Sequence, residues 1–221
     1  MADVIGRPGF DALRMSQLEL TKARAELEKA LREGHPYDEA ELGTVFDAVE
    51  QPRSRLKGAQ GECKTARVLD SLPEHFVVFH DFHARSKDGG REGWNIDHIV
   101  VGPPGVFVID TKNRRVPLVE SAEISPMTSN HVDVVRRQAL TVRSWITLAG
   151  SADLSRVFVR GVVTYAVDGV EVECPSERSV WVLPLSSLER KLRDEPDRLT
   201  LNQVAHIRRL LAERRALTPG R

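Results

Sequence analysis

The sequence of 221 residues predicts an α/β fold in which helices flank a mixed central sheet. Hydrophobic residues make up 41% and charged residues 29%, values typical of a globular chain with a buried core. Helical and strand periodicities are interleaved along the chain. The near-continuous apolar run over residues 157–167 is typical of a central strand buried on both faces.

The first 51 residues predict a helical hairpin that extends the main domain. Leucines at helical spacing predict a helix over 11–33, ended by Gly34 and Pro36, and a shorter helix follows over 38–49. Residues 1–50 carry 11 acidic and 6 basic residues, whereas residues 51–221 carry 21 and 26. This change of sign near Pro52 predicts a boundary between residues 1–51 and the domain 52–221. The hairpin is expected to pack on the domain, on a second copy or on a protein partner.

The remaining elements follow from local periodicity, turn residues and capping residues. Two capping boxes, Ser186 with Glu189 and Thr200 with Gln203, predict the starts of the last two helices. The full prediction is a helix over 58–72, strands over 76–82, 94–101, 106–112 and 116–119, a helix over 132–149, strands over 157–167 and 179–183, and helices near 187–193 and 201–215.

Charge, hydropathy and cysteine usage narrow the function classes. The formal net charge is zero, so binding of nucleic acid by bulk positive charge is excluded and any such contact must use local patches. No run of 18 apolar residues is present, and the first residues lack the apolar segment of an export signal. Cys63 and Cys174 do not have zinc-site spacing. We therefore expect a cytoplasmic protein with reduced thiols and no membrane association.

Residues 95–113 hold the most informative charges of the sequence. Two apolar strands are joined by the loop 102–105, and Asp97 lies on the first strand while Asp110 and Lys112 end the second. If Val101 opposes Val106 across a symmetric four-residue loop, Asp97 lies opposite Asp110, with Cβ atoms about 4.5–5.5 Å apart. A slip of one residue would place Asp97 opposite Thr111 on the other face.

Two carboxylates at this spacing repel each other unless a cation lies between them. Mg²⁺ is commonly held by one or two carboxylates with water and phosphate oxygens, so Asp97 and Asp110 predict a Mg²⁺ or Mn²⁺ site. Glu62, on the preceding helix, is a candidate third ligand. The Lys112 ammonium is a candidate for orienting water or stabilising charge on phosphorus. The alternative interpretation is a structural salt-bridge cluster. His98 is expected to be a hydrogen-bonding core or edge histidine.

These segments resemble a known family. Gly61-Glu62, the run 96–103 and the run 105–113 are similar to the NERD (nuclease-related) domain, a branch of the PD-(D/E)XK superfamily with the restriction-endonuclease-like fold. The resemblance implies that Asp97, Asp110 and Lys112 form the catalytic motif, with Glu62 as the acid on the helix. It also implies that Gln138 supports the site or contacts a phosphate. The sequence departs from the motif at Ile96, where proline is usual, and at Asp110, where glutamate is commoner.

Basic residues flank the proposed site in sequence and predict contacts with a phosphate backbone. Our candidates are Lys64, Arg114, Arg115, Arg136 and Arg137. The resulting hypothesis is a Mg²⁺- or Mn²⁺-dependent deoxyribonuclease, with RNA as an alternative substrate. The alternative function is a catalytically weak or inactive binding module of the same fold that contacts DNA or a protein partner.

Overall fold

The chain forms five α-helices and seven strands within the residues that a computed structural model describes, namely 1–33, 39–85, 91–114, 126–149, 152–167, 174–177 and 180–215. The helices are α1 (Phe10–Glu33), α2 (Glu39–Asp70), α3 (Pro126–Ala149), α4 (Leu185–Arg193) and α5 (Leu201–Arg214). The strands are β1 (Asp3–Ile5), β2 (Val77–Arg85), β3 (Arg91–Gly102), β4 (Gly105–Lys112), β5 (Val159–Tyr165), β6 (Cys174–Glu177) and β7 (Val180–Pro184).

The strands form one mixed sheet in the order β1-β2-β3-β4-β5-β7-β6. The pairs β1–β2, β4–β5 and β5–β7 are parallel, and β2–β3, β3–β4 and β6–β7 are antiparallel. This arrangement confirms the predicted α/β fold and is consistent with the restriction-endonuclease-like architecture. The outer strands β1 and β6 were not predicted, because three or four residues are too few to show a strand period.

Two apolar layers hold the helices against the sheet. On one side, α3 and α5 pack on strand residues such as Phe79, Ile99 and Val108. On the other side, the end of α2 and helix α4 pack on residues such as Val100 and Phe107. The central strands are thus buried on both faces, which explains why β4 and β5 read as continuous apolar runs in the sequence.

Helix α2 replaces the two separate helices that were predicted over 38–49 and 58–72. Pro52 lies inside this helix, although an interior proline removes a hydrogen-bond donor and usually ends a helix. The residue is buried, and its carbonyl accepts a hydrogen bond of 3.2 Å from the Ser16 hydroxyl of α1. Helix α2 thus continues past Pro52 at a point where it packs against α1. The division of the chain at residues 51 and 52 stays a prediction, and α2 passes through that point.

The last two helices begin differently. Thr200 and Gln203 form the predicted capping box of α5. The predicted box of Ser186 and Glu189 is wrong, because α4 begins at Leu185, two residues earlier than a Ser186 cap would allow, with Pro184 as a cap that makes no side-chain hydrogen bond. The predicted strand over 116–119 lies outside the described residues.

Candidate functional site

The regular pairing of β2 and β3 is interrupted at Asp81 and Asp97. Asp81 has a φ of 51°, in the left-handed region that favours glycine but that aspartate tolerates better than most residues. The ladder pairs residues 80 with 98 and 82 with 96, but it omits the pair between them. Phe79 and Phe82 lie in one core cluster, whereas strict alternation would place them on opposite faces. The interruption therefore changes which way the following side chains point.

The hairpin of β3 and β4 has the predicted register up to this interruption. Val101 pairs with Val106, and the ladder extends from Gly102–Gly105 to His98–Ile109. The connection is tighter than the predicted four-residue loop, because only two prolines separate the paired glycines.

The predicted ladder pair of Asp97 with Asp110 is not formed. The ladder ends one position earlier, and the Asp97 Oδ2 instead accepts a hydrogen bond of 2.7 Å from the Thr111 backbone N–H. The interruption at Asp97 explains the difference, since periodicity alone cannot show where a strand departs from regular alternation.

Asp110 and Lys112 form a close ion pair at the end of β4. The Lys112 ammonium lies 2.9 Å from Oδ1 and 2.7 Å from Oδ2 of Asp110. The Asp110 side chain is 13% exposed and that of Lys112 is 25% exposed. This pair alone is compatible with the structural salt bridge considered from the sequence.

The charges of Glu62, Asp97, Asp110 and Lys112 influence one another strongly. Burial raises the Asp97 pKa, and the negative charges of Asp110 and Glu62 raise it further. Burial also raises the Asp110 pKa, against the effect of Lys112. Burial and the charge of Asp81 raise the pKa of Glu62 to about 7. For Lys112, burial would lower the pKa, but the charges of Asp110 and Asp97 outweigh it and raise the pKa. Of the three acids, Asp110 is thus in direct contact with the Lys112 ammonium, and Asp97 and Glu62 act on the site through their charges.

Gln138 braces the strand that bears Asp97. Its amide Nε2 donates a hydrogen bond of 2.9 Å to the Asn95 carbonyl, two residues before Asp97. The Gln138 Oε1 and the Asn95 Oδ1 are buried and have no hydrogen-bond partner among the residues that the structure describes. Gln138 thus contacts the backbone of β3.

A second cluster, which was not predicted from the sequence, consists of Asp11, Asp81 and His83. Their ligand atoms lie within 4.8 Å of one another, and this is the one such group of three that the described residues contain. Glu62, Asp97 and Asp110 do not form a group with this spacing. The Asp11–Asp81–His83 group could hold a metal ion by the chemistry of its donors.

The sequence carried only a weak signal for this cluster. Asp81 lies in the predicted strand 76–82 and His83 directly follows it, and such a pair is common without a function. Asp11 lies 70 positions before Asp81, so only the fold brings the two together.

Two further histidines form a buried pair between β2 and β3. The Nδ1 atoms of His80 and His98 lie 2.7 Å apart, and the His80 Nε2 lies 2.9 Å from Asp70 Oδ1. Burial lowers the pKa of both imidazoles. This arrangement confirms His98 as a hydrogen-bonding core histidine.

Residues 57–166 match the family described as the nuclease-related domain. The chain belongs to the nuclease-related domain (NERD) family through this region. The match contains Glu62, Asp97, Asp110 and Lys112, together with Gln138.

Two individual similarities accompany the family match. An uncharacterized protein from Bacillus anthracis is 38% identical over 60 residues, which cover 27% of this chain and 27% of that protein. The crystal structure of protein VC1899 from Vibrio cholerae aligns with 95% of this chain and 55% of that chain, with 9% identity and a TM-score of 0.31. A likeness of this size supports no functional conclusion. Within the described residues, no helix is long and apolar enough to span a membrane.

The basic residues predicted to contact DNA are placed differently around the NERD domain. Arg136 and Arg137 are exposed on α3. The Lys64 ammonium donates a hydrogen bond of 3.2 Å to the Ala166 carbonyl. The Arg114 guanidinium contacts the His131 imidazole, whose pKa is lowered to about 4 by burial and by the charges of Lys112 and Arg114. The predicted phosphate contact Arg115 lies outside the described residues.

Proposed function

We propose that this protein is a metal-dependent nuclease that hydrolyses phosphodiester bonds of DNA at Asp97, Asp110, Lys112 and Glu62. One observation supports the proposal most strongly. Burial and the charges of Asp110 and Glu62 raise the Asp97 pKa, and the charges of Asp110 and Asp97 raise the Lys112 pKa, in the region that matches the NERD family. Such crowding of acids in a site with little solvent is typical of groups tuned for catalysis or cation binding.

The donor chemistry fits Mg²⁺ or Mn²⁺. These ions prefer carboxylate oxygens, and a divalent cation removes the mutual repulsion that raises the pKa of Asp97. Asp97 and Asp110 would hold the ion, with Glu62 as the further acid. When bound, it would supply Lewis acidity and lower the pKa of a coordinated water.

The chain's own residues would perform the remaining tasks. Lys112 stays protonated, because Asp110 and Asp97 raise its pKa, and its ammonium is partly exposed beside Asp110. It can therefore donate to a phosphate oxygen or to the attacking water while charge develops on phosphorus. Thr111, through its backbone N–H, fixes the orientation of Asp97.

Substrate binding would use basic groups near the site. Arg136 and Arg137 on α3 are exposed and available to phosphates, and Arg114 follows β4 directly. Gln138 lies on the same helix and braces β3, so this helix would connect substrate contact with the site. RNA is the alternative substrate of the same chemistry.

The test is cleavage of supercoiled plasmid and linear DNA with Mg²⁺, Mn²⁺ or EDTA. We expect metal-dependent products from the wild-type protein and a loss of at least about 100-fold in the Asp110→Asn and Lys112→Ala variants. Asp197→Asn, at an exposed aspartate outside the NERD region, is the matched control and should cleave as the wild type does. Circular dichroism should show the same fold in all four proteins.

The competing function is the binding module without catalysis. DNA that is retained in a mobility-shift assay, with no product under any metal condition, would favour the module. Full metal-dependent cleavage by Asp110→Asn would contradict the roles assigned to these residues.

A further inference from the structure

The first residues of the chain, ahead of the NERD-matching region, reach the elements that carry the proposed site. Strand β1 pairs in parallel with β2, and the Asp3 N–H donates a hydrogen bond of 3.0 Å to the Phe76 carbonyl. Helix α1 begins at Phe10, directly after this strand and its turn. The start of α1 therefore lies beside β2 and α2.

Two acids of the site region bind backbone groups at the start of α1. Glu62 accepts a backbone hydrogen bond from Gly9, and the Asp81 Oδ2 accepts one of 3.0 Å from the Asp11 N–H. The first N–H groups of a helix have no partner within the helix and favour negative charge. Both carboxylates thereby gain a donor from a segment far away in sequence.

His83 and Asn95 also contact the Asp81 carboxylate. The His83 Nε2 lies 2.7 Å from the Asp11 Oδ2 and 3.4 Å from the Asp81 Oδ1. The Asn95 Nδ2 donates a hydrogen bond of 2.7 Å to the same Asp81 oxygen. Although burial would raise the Asp81 pKa, these hydrogen bonds lower it overall, so Asp81 remains an anion beside Glu62.

Gly9 packs against α2 so closely, and with such a backbone conformation, that a residue with a side chain would be strained there. Its φ is +67°, and a Cβ added there would lie 3.0 Å from the Ala59 Cβ and 3.1 Å from its Cα. One residue earlier, the Pro8 carbonyl accepts a hydrogen bond of 3.7 Å from the Cys63 thiol. The segment thus touches α2 on both sides of Glu62 in sequence.

We propose that Gly9–Asp11, together with His83, is a positioning element of the active site that holds Glu62 and Asp81 beside Asp97 and Asp110. Residues outside the NERD-matching region would then be required for full metal affinity. This inference rests on the proposed function, because it assigns a task within that site. The inference goes further because it assigns residues at the start of the chain, ahead of the NERD-matching region, to the proposed active site.

The test measures Mn²⁺ affinity by isothermal titration and electron paramagnetic resonance, and it measures DNA cleavage kinetics in the full chain. Gly9→Ala displaces the donor to Glu62, and Gly58→Ala is its matched control, since beyond its own stretch of helix no atom of the described residues lies within 4 Å of a Cβ added there. His83→Leu removes the contact with Asp11, whereas His83→Gln keeps an amide donor.

We expect Gly9→Ala and His83→Leu to weaken Mn²⁺ binding by about tenfold or more and to lower kcat without raising the KM for DNA. Gly58→Ala and His83→Gln should remain close to the wild type. A merely structural role would lower the unfolding midpoint without changing Mn²⁺ affinity. If Gly9→Ala does not fold, the two His83 variants decide.

Other results would overturn the inference in recognisable ways. Wild-type affinity in both disruptive variants, with active wild-type protein, would refute the positioning role and leave the proposed function standing. Loss of one of two bound Mn²⁺ equivalents in His83→Leu would show that the Asp11–Asp81–His83 cluster itself holds an ion. A wild-type protein that neither binds Mn²⁺ nor cleaves would refute the proposed function, and this inference with it.

Discussion

Glu62 shows most clearly how a residue of the proposed site lowers the stability of the folded protein. Its pKa is raised from 4.5 to about 7, first by burial and then by the charge of Asp81. A pKa raised on folding contributes stability that is fully present below the unfolded value and is lost as pH rises through the folded value. For Glu62 that loss occurs between about pH 4.5 and 7. At pH 8 the metal-free protein therefore carries an unfavourable buried charge.

Replacement of Glu62 by glutamine should stabilise the metal-free protein at alkaline pH. We expect Glu62→Gln to raise the free energy of unfolding by about 1–3 kcal/mol at pH 8 and by clearly less at pH 5, since Glu62 is already protonated there in the fold. Urea unfolding in EDTA measures both values. Glu74→Gln, at an exposed glutamate, is the control and should show no such pH dependence. An equal effect of Glu62→Gln at the two pH values would contradict the raised pKa.

At the residue scale, motif spacing was sufficient to propose Asp97, Asp110, Lys112 and Glu62 from the sequence. Motif spacing could not predict the role of Asp81, because the position of this side chain depends on a left-handed backbone conformation that no residue pattern indicates. Asp11 was also out of reach, since its contact with Asp81 spans 70 positions. Contacts of this kind depend on the completed fold.

At the scale of single elements, the starts of α4 and α5 show that a capping motif in the sequence predicts some helix starts correctly and others wrongly. Thr200 and Gln203 bond each other's backbones at α5, whereas Ser186 lies inside α4 and caps nothing. Thr200→Ala should therefore lower the free energy of unfolding by about 1 kcal/mol. Ser186→Ala should change it by less than about 0.5 kcal/mol. Urea unfolding of both variants measures the difference, and equal losses would contradict the two cap assignments.

Strand and helix periodicity predicted most elements, because apolar side chains repeat where a face is buried. The β3–β4 register followed from a symmetric turn that places Val101 opposite Val106, and it holds as far as His98 and Ile109. Pro52 misled the prediction of α2, since a proline is expected to end a helix but does not specify the packing that keeps one together. The interruption at Asp97 could not be predicted either, because a residue pattern does not show where the pairing of two strands breaks. This interruption decides how the acidic side chains are arranged.

For the whole molecule, the change of charge sign near Pro52 predicted a boundary between residues 1–51 and 52–221, and that division stays a prediction. In the structure, β1 lies in the central sheet and the start of α1 lies against Glu62 and Asp81. The Arg208 guanidinium of α5 also lies 2.7 Å from the Asp3 carboxylate, so α5 contacts β1. The proposed site therefore draws on parts of the molecule that are distant in sequence.

The most direct measurement is anomalous diffraction from a crystal of the full chain soaked in Mn²⁺. The expected result is an anomalous peak bonded to carboxylate oxygens of Asp97 and Asp110, at about 2.0–2.3 Å, with Lys112 beside it. A peak confined to the Asp11–Asp81–His83 cluster, or no peak at saturating Mn²⁺, would contradict it.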